Sequence, residues 1–212
     1  MQRRVKPHSA PVTDKTRASI LDGAAQAFGK LGYAATRVED VLEASGLSRP
    51  TFYKVFDSKD DVFEALSEAH HREIRERIVR SLEGESDPNK QVENIVDAFM
   101  RWRAELGPIG RVLDQEARTG TRLAKHRRET LDAMTAWATS RFRAEGRGDL
   151  DPVLVHGLIG AMEAVADSLV SSPPVREAAI DRAKRIGLRI VAASLATPGD
   201  AVPPMPKSPD KK

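Results

Sequence analysis

Apolar residues recur at three- and four-residue spacing along most of this chain, and no stretch sustains two-residue alternation, so the pattern predicts an all-α protein of about nine helices. The first stripe is Ile20, Leu21, Ala24, Phe28 and Leu31, and it stops at Gly32. A second helix is expected from Thr36, placed as an N-cap with Glu39 returning the bond, and its apolar face is Val38, Val41 and Leu42. Gly46 suits a left-handed turn and Leu47 can fill the angle beyond it. Ser48 caps a third helix, expected over about 49–55, with Pro50 tolerated in its first turn. Phe52 and Phe56 then face a core, which leaves Arg49, Thr51, Tyr53 and Lys54 outside.

Further along, Ser58 with Asp61 predicts the start of a fourth helix that runs to about Leu82, long enough to connect two regions rigidly, before Gly84 and Asp87-Pro88 break it. Five more helices are expected, over about 90–106, 109–117, 121–145, 152–171 and 175–196. Proline-rich sequence from Pro198 onward predicts disorder. The chain therefore divides into a disordered basic arm (1–12), a three-helix domain (13–57), a helical domain (58–197) and a disordered tail (198–212).

The outward set on the third helix combines a guanidinium, a hydroxyl, a phenol and an ammonium, the groups that contact phosphates and base edges when a helix enters the major groove. Two short helices around a glycine turn, with the run Gly-Leu-Ser-Arg-Pro-Thr-Phe-Tyr-Lys-Val-Phe-Asp-Ser-Lys at 46–59, resemble the helix-turn-helix DNA-binding domain of TetR-family transcriptional regulators. The resemblance covers roughly residues 14–66, and it departs from the family's usual pattern at Leu42, bulkier than common, and at Val55, where a histidine is usual. It implies Ser48, Arg49, Pro50 and Thr51 near the bases, with Tyr53, Lys54, Thr36, Arg37 and Lys59 on phosphates. The expected partner is a double-stranded DNA operator.

Composition sharpens this. With 212 residues, 40% hydrophobic and 31% charged, the chain reads as soluble and able to bury a core. No apolar run reaches membrane-spanning length and no secretion signal precedes the first helix, so no membrane partner and a cytoplasmic location are expected. Cysteine is absent, which excludes disulfides, thiol catalysis and cysteine-based zinc sites. The net charge of +3 is localised: residues 1–57 carry nine Lys/Arg against six Asp/Glu and the remainder is balanced. Arg3, Arg4, Lys6, Lys15 and Arg17 contribute to that excess.

The helical domain holds few aromatics. Phe99, Trp102, Trp137 and Phe142, with Met134 and Met162, are the candidates to line an apolar effector cavity. Broad apolar coverage of the last two helices fits either helices central in their own core or helices that also pack on a second subunit; together with the four-helix dimer bundle that the family resemblance implies, it favours a homodimer through Leu158, Met162, Val165, Leu169, Ala179, Ala183, Ile186 and Ile190. Several signals are discounted. His70-His71 with Glu73 lacks metal-ligand spacing, so no metal or other cofactor is expected, and no phosphate loop or nucleophile elbow occurs, so no enzyme is expected. Glu163 and Asp167, at i,i+4, are expected on a wet helix face, and the run Arg122, Lys125, His126, Arg127, Arg128 on solvated surface. The function expected is a dimeric regulator, a repressor released from a palindromic operator by a small, largely apolar effector. The alternative is a DNA-binding dimer with no effector, whose larger domain only dimerises.

Overall fold

Nine α-helices and no strand make up the described residues of the computed structural model, which are 14–119, 124–170, 174–196 and 202–204. The predicted arm (1–12) and the tail beyond Pro198, apart from the non-helical residues 202–204, lie outside them. Two compact units divide at Glu68 and Ala69, inside the fourth helix, where the sequence alone suggests a boundary at that helix's start. The reason is local: Val62, Phe63 and Leu66 on its first turns are buried in the core of the first unit.

In the first unit, α1 (Asp14–Leu31), α2 (Val38–Ser45) and α3 (Arg49–Phe52) are followed by the start of α4 (Lys59–Leu82). Ile20, Ala24 and Phe28 of α1, Val41 of α2, and Phe52 and Phe56 are all buried. Phe63 sets its edge on Phe28 at 4.8 Å and contacts Tyr33 at 4.6 Å, giving the unit an aromatic centre. α1 and α2 approach so closely that a Cβ on Gly23 would stand 2.6 Å from the Ser45 amide nitrogen. Gly46 takes φ 65°, the left-handed conformation its position in the turn requires.

Two local expectations are corrected. Thr36 is not the cap of α2: the Arg37 amide donates to Asp40 Oδ2 at 2.7 Å and Arg37 is the N-cap. Thr36 is instead 1% exposed, and its hydroxyl donates to the Gly32 carbonyl at 2.6 Å. The third helix is a single turn, because after Phe52 the chain closes through Lys54 N to Thr51 O (3.3 Å) and Val55 N to Phe52 O (2.8 Å) rather than continuing to 55. The caps at Ser48 and Ser58 stand: Thr51 N donates to Ser48 Oγ at 3.4 Å and Asp61 N to Ser58 Oγ at 3.1 Å.

The second unit contains the rest of α4 with α5 (Pro88–Leu106), α6 (Pro108–Thr119), α7 (Ala124–Ala144), α8 (Pro152–Val170) and α9 (Glu177–Leu195). Asp87 caps α5 ahead of Pro88, and Asp151 Oδ1 accepts from Val153 N at 2.7 Å to open α8. α5, α8 and α9 pack on one another through Val96, Met100, Met162, Ala166, Ile180 and Ala183. A second cluster, Ile74, Ile78 and Trp102, joins α4 to α5, with Met134 of α7 against it.

Candidate nucleic-acid interface and inner cavity

Phe52 and Phe56 anchor the short third helix from below, and what remains outside is polar. Ser48, Arg49, Pro50, Tyr53 and Lys54 are exposed and Thr51 half-buried, with Tyr53 45% exposed although its ring lies edge-on to Phe52 at 5.2 Å. The Ser48 and Thr51 hydroxyls hydrogen-bond each other at 2.8 Å, which fixes both at the helix start. Arg49 forms an ion pair with Glu39 of α2, both more than half exposed, so the guanidinium can exchange a solvent-screened partner for another at little cost. Arg37 is exposed at the start of α2.

Two residues expected at phosphates are turned inward. Thr36 is buried with its hydroxyl bonded within the chain. The Lys59 ammonium donates to the carbonyls of Tyr33 (2.9 Å), Thr36 (3.0 Å) and Ala34 (3.4 Å) and lies 4.6 Å from the Tyr33 ring centre. An ammonium has three donors. All three are directed at the loop that joins α1 to α2, so Lys59 ties this loop to α4 instead of reaching outward.

Within the second unit, an apolar cavity of about 160 Å³ lies among α4, α5, α7, α8 and α9. Phe99, Trp102, Met134, Trp137 and Met162 line it, joined by Ile74, Ile78, Ile95 and Leu131, and by Leu158, which the sequence assigned to the dimer face. Phe142 does not: it lines a separate outer cleft and stacks under Arg147 at 4.2 Å, because its place one turn beyond Trp137–Ala138 carries it past the end of the cavity.

One part of the cavity wall is charged. Arg103, 2% exposed, pairs through NH1 with Asp114 Oδ2 at 2.8 Å and through NH2 with Asp167, and lies over Trp102 at 6.0 Å. Arg127 holds Glu163 with both terminal nitrogens, NH2 to Oε2 at 2.9 Å, and Arg118 reaches the same oxygen at 2.6 Å. Arg127 NH1 also lies 3.7 Å from Asp114 Oδ1, so six side chains on α5, α6, α7 and α8 are joined across the unit. Glu163 and Arg127 are therefore not on wet surfaces as their spacing suggested, and Asp167 is half-buried rather than solvated. Burial, the largest influence on Glu163, raises its pKa, but the hydrogen bonds and charges of Arg127 and Arg118 outweigh it and leave the pKa below the ordinary range. For Asp114 burial prevails over Arg103, and its pKa is pushed up to about 6. His70 on α4 is held neutral by burial, which lowers its pKa more than Glu73 raises it.

The residues proposed for a dimer face divide. Met162 and Ala183 are buried in their own subunit's core, Met162 packed against Gly187 and Met100, and Leu158 faces the cavity; all three are corrected to internal positions. Val165 and Ala179 flank that core, Ile186 and Ile190 are half-buried, and the side chain of Leu169 lies outside the described residues. The apolar coverage of α8 was broad because part of it meets α5, α7 and α9 while another face, with Val153 at 75% and Leu154 at 40% exposure, has no partner among the described residues.

The helix-turn-helix geometry coincides with a sequence profile. The profile described as "Bacterial regulatory proteins, tetR family" matches residues 20–66, from the α1 stripe to the first turns of α4. Residues 20–66 thus carry the DNA-binding domain of TetR-family regulators. The chain is similar to the HTH-type transcriptional regulator TtgR of Pseudomonas putida, 30% identical over 136 residues. That alignment covers 63% of this chain and spans about 59% of the relative's length. The HTH-type transcriptional activator FasR of Mycolicibacterium smegmatis is 26% identical over 86 residues, 41% of this chain and 39% of its own. The TetR-like fold extends beyond the profile. The fatty acid degradation regulator FadR from Bacillus halodurans superposes with a TM-score of 0.70 at 17% identity, over 82% of this chain and 95% of that one. SmeT, the repressor of the Stenotrophomonas maltophilia multidrug efflux pump SmeDEF, superposes with 0.64 at 23%, over 94% and 99%. Among the described residues no helix is long and apolar enough to cross a membrane.

Proposed function

We propose that this protein is a cytoplasmic, dimeric transcriptional repressor that reads a palindromic operator through α3 and its following turn, and that a small, largely apolar effector releases it. The observation that carries the reading is the surface formed by exposed Ser48, Arg49, Pro50, Tyr53 and Lys54 with half-buried Thr51, set on an aromatic base. Arg49 and Thr51 reach base edges, with Ser48 and Pro50 setting the approach of the helix start. Tyr53, Lys54 and Arg37 contact phosphates. Thr36 and Lys59 act by holding the α1–α2 loop in place. The apolar cavity supports the effector, since a pocket walled by Ile, Leu, Met, Phe and Trp favours an apolar guest.

The unpartnered face of α8, running through Leu154, Gly157, Ala161 and Ala164 and flanked by Ile186 and Ile190 of α9, supports a dimer. At Gly157 and Gly160 the space where a Cβ would stand is open, which lets a second helix come close. A two-fold dimer presents its reading helices to half-sites roughly 34–36 Å apart. The effector acts by binding one arrangement of the dimer better than another; equal affinity for both would shift nothing. Selection of bound DNA from a random pool tests the reading: it should return an inverted repeat, and recovery of no consensus would refute it. A metabolite screen for DNA release tests the effector, and a dimer that no ligand releases would leave dimerisation as the sole task of the second unit.

A further inference from the structure

Next to the cavity lies a larger cleft of about 620 Å³, formed by the start of α5 and the ends of α7 and α9, with Pro203 on its border. Val92, Trp137, Ala138, Val191 and Leu195 line both spaces. Their side chains are the partition between an apolar interior and a more polar cleft. One turn beyond Trp137 on α7 stands Arg141, half-buried in the cleft.

Arg141 is unlike the other charges there. Arg147 is bound to the Leu195 carbonyl, to the Phe142 ring at 4.2 Å and to Glu145 at 3.6 Å. Glu145 has that arginine as its partner, and Glu93 is exposed to water. Arg141 has no ion pair among the described residues, and its Nε is enclosed with no hydrogen-bond partner. An enclosed guanidinium N–H without a partner is unfavourable, and the planar fork of the group matches a carboxylate.

We infer that the cleft and the cavity together form one amphipathic site, in which Arg141 takes the anionic head group of a ligand whose apolar part passes Trp137 into the interior. The inference rests on the effector reading and narrows it to apolar carboxylates and similar anions. Trp137 and Arg141 are four residues apart on one helix, so the head group sits about 6 Å along α7 from the partition. A cationic amphipath would meet Arg141 as a like charge. An alcohol of the same length would fill the interior and leave the guanidinium unmatched.

Trp102 and Trp137, the two tryptophans of the chain, both line the cavity and report occupancy by fluorescence. The probes are dodecanoate, dodecanol and dodecylammonium, each below its micelle-forming concentration, titrated into the full chain and into the Arg141→Met and Arg141→Lys variants. Dodecanoate should bind the parent about tenfold or more tighter than dodecanol, the size of a charge-assisted hydrogen bond. Dodecylammonium should bind more weakly than either. Arg141→Met should abolish the preference for the carboxylate while leaving dodecanol affinity within about twofold, and Arg141→Lys should retain part of the preference. Equal binding of acid and alcohol by the parent, a preference that survives Arg141→Met, or no binding of dodecanoate would overturn the assignment. Release of the selected operator is read in parallel. Arg141-dependent binding without release supports this site and refutes the effector reading, whereas equal release by acid and alcohol supports an effector and overturns the role of Arg141.

Discussion

Replacing Lys59 by Met separates two jobs that this position could have. Methionine keeps most of the aliphatic stem and removes the ammonium, so the carbonyls of Tyr33, Thr36 and Ala34 lose their shared donor. Two of these bonds are well formed, at 2.9 and 3.0 Å, and the third, at 3.4 Å, is weak. Water can reach the site, so each good bond contributes about 1 kcal/mol, below the range for fully desolvated charged bonds. The contact with the Tyr33 ring adds about 0.5–1 kcal/mol. The first unit should therefore lose about 2–3 kcal/mol of local stability, equivalent to amide exchange roughly 30- to 150-fold faster for amides that exchange by opening of this unit. Hydrogen exchange read by mass spectrometry should show this over residues 20–66 and leave peptides of α8 and α9 unchanged. The salt dependence of DNA binding should keep its slope, because no phosphate contact is lost. If exchange were unchanged and the slope fell by about 0.9, Lys59 would be a phosphate contact and the reasoning would be refuted.

Gly23→Ala places a methyl group 2.6 Å from the Ser45 amide nitrogen. Forcing α1 and α2 apart should destabilise the first unit by about 1–3 kcal/mol in urea titrations; a variant as stable as the parent would contradict the close approach. Asp114 takes up its proton near about 6 in the folded chain, above the value of an unfolded aspartate. Its contribution therefore favours folding below that range and declines as pH rises through about 6. Asp114→Asn should flatten this part of the pH–stability curve and retain the parent's melting temperature in mildly alkaline buffer. A fall of several degrees there would mean that the pair with Arg103 outweighs burial.

The helices were legible because each carries a one-sided apolar stripe and a stop signal. Where the reading failed, the deciding partner was distant in sequence or the local pattern had two solutions. Phe52 and Phe56 keep helical spacing, yet the intervening residues close as turns, so α3 looked longer than it is. Thr36 is a favourable cap by residue type, but its hydroxyl turns toward α1 and the amide of Arg37 finds Asp40. Glu163 and Asp167 would have the same i,i+4 spacing on a wet or a buried face. Their fate is decided by arginines on α5, α6 and α7. A signal did exist: Glu163 stands between Met162 and Ala164 in the most apolar helix, and Arg103 follows Trp102 directly in the α5 stripe. The exposure of Ser48, Arg49, Pro50, Tyr53 and Lys54 was legible because the outward positions of a short motif depend little on distant packing.

The central claim is that α3 reads base sequence. It is tested most directly by the affinities of the parent and of Arg49→Ala for the selected operator and for a scrambled duplex, at one salt concentration. Arg49→Ala should weaken operator binding by about 1–3 kcal/mol more than scrambled binding, so that discrimination falls while general attraction to the polyanion largely remains. Equal weakening on both duplexes, or none on either, would contradict it.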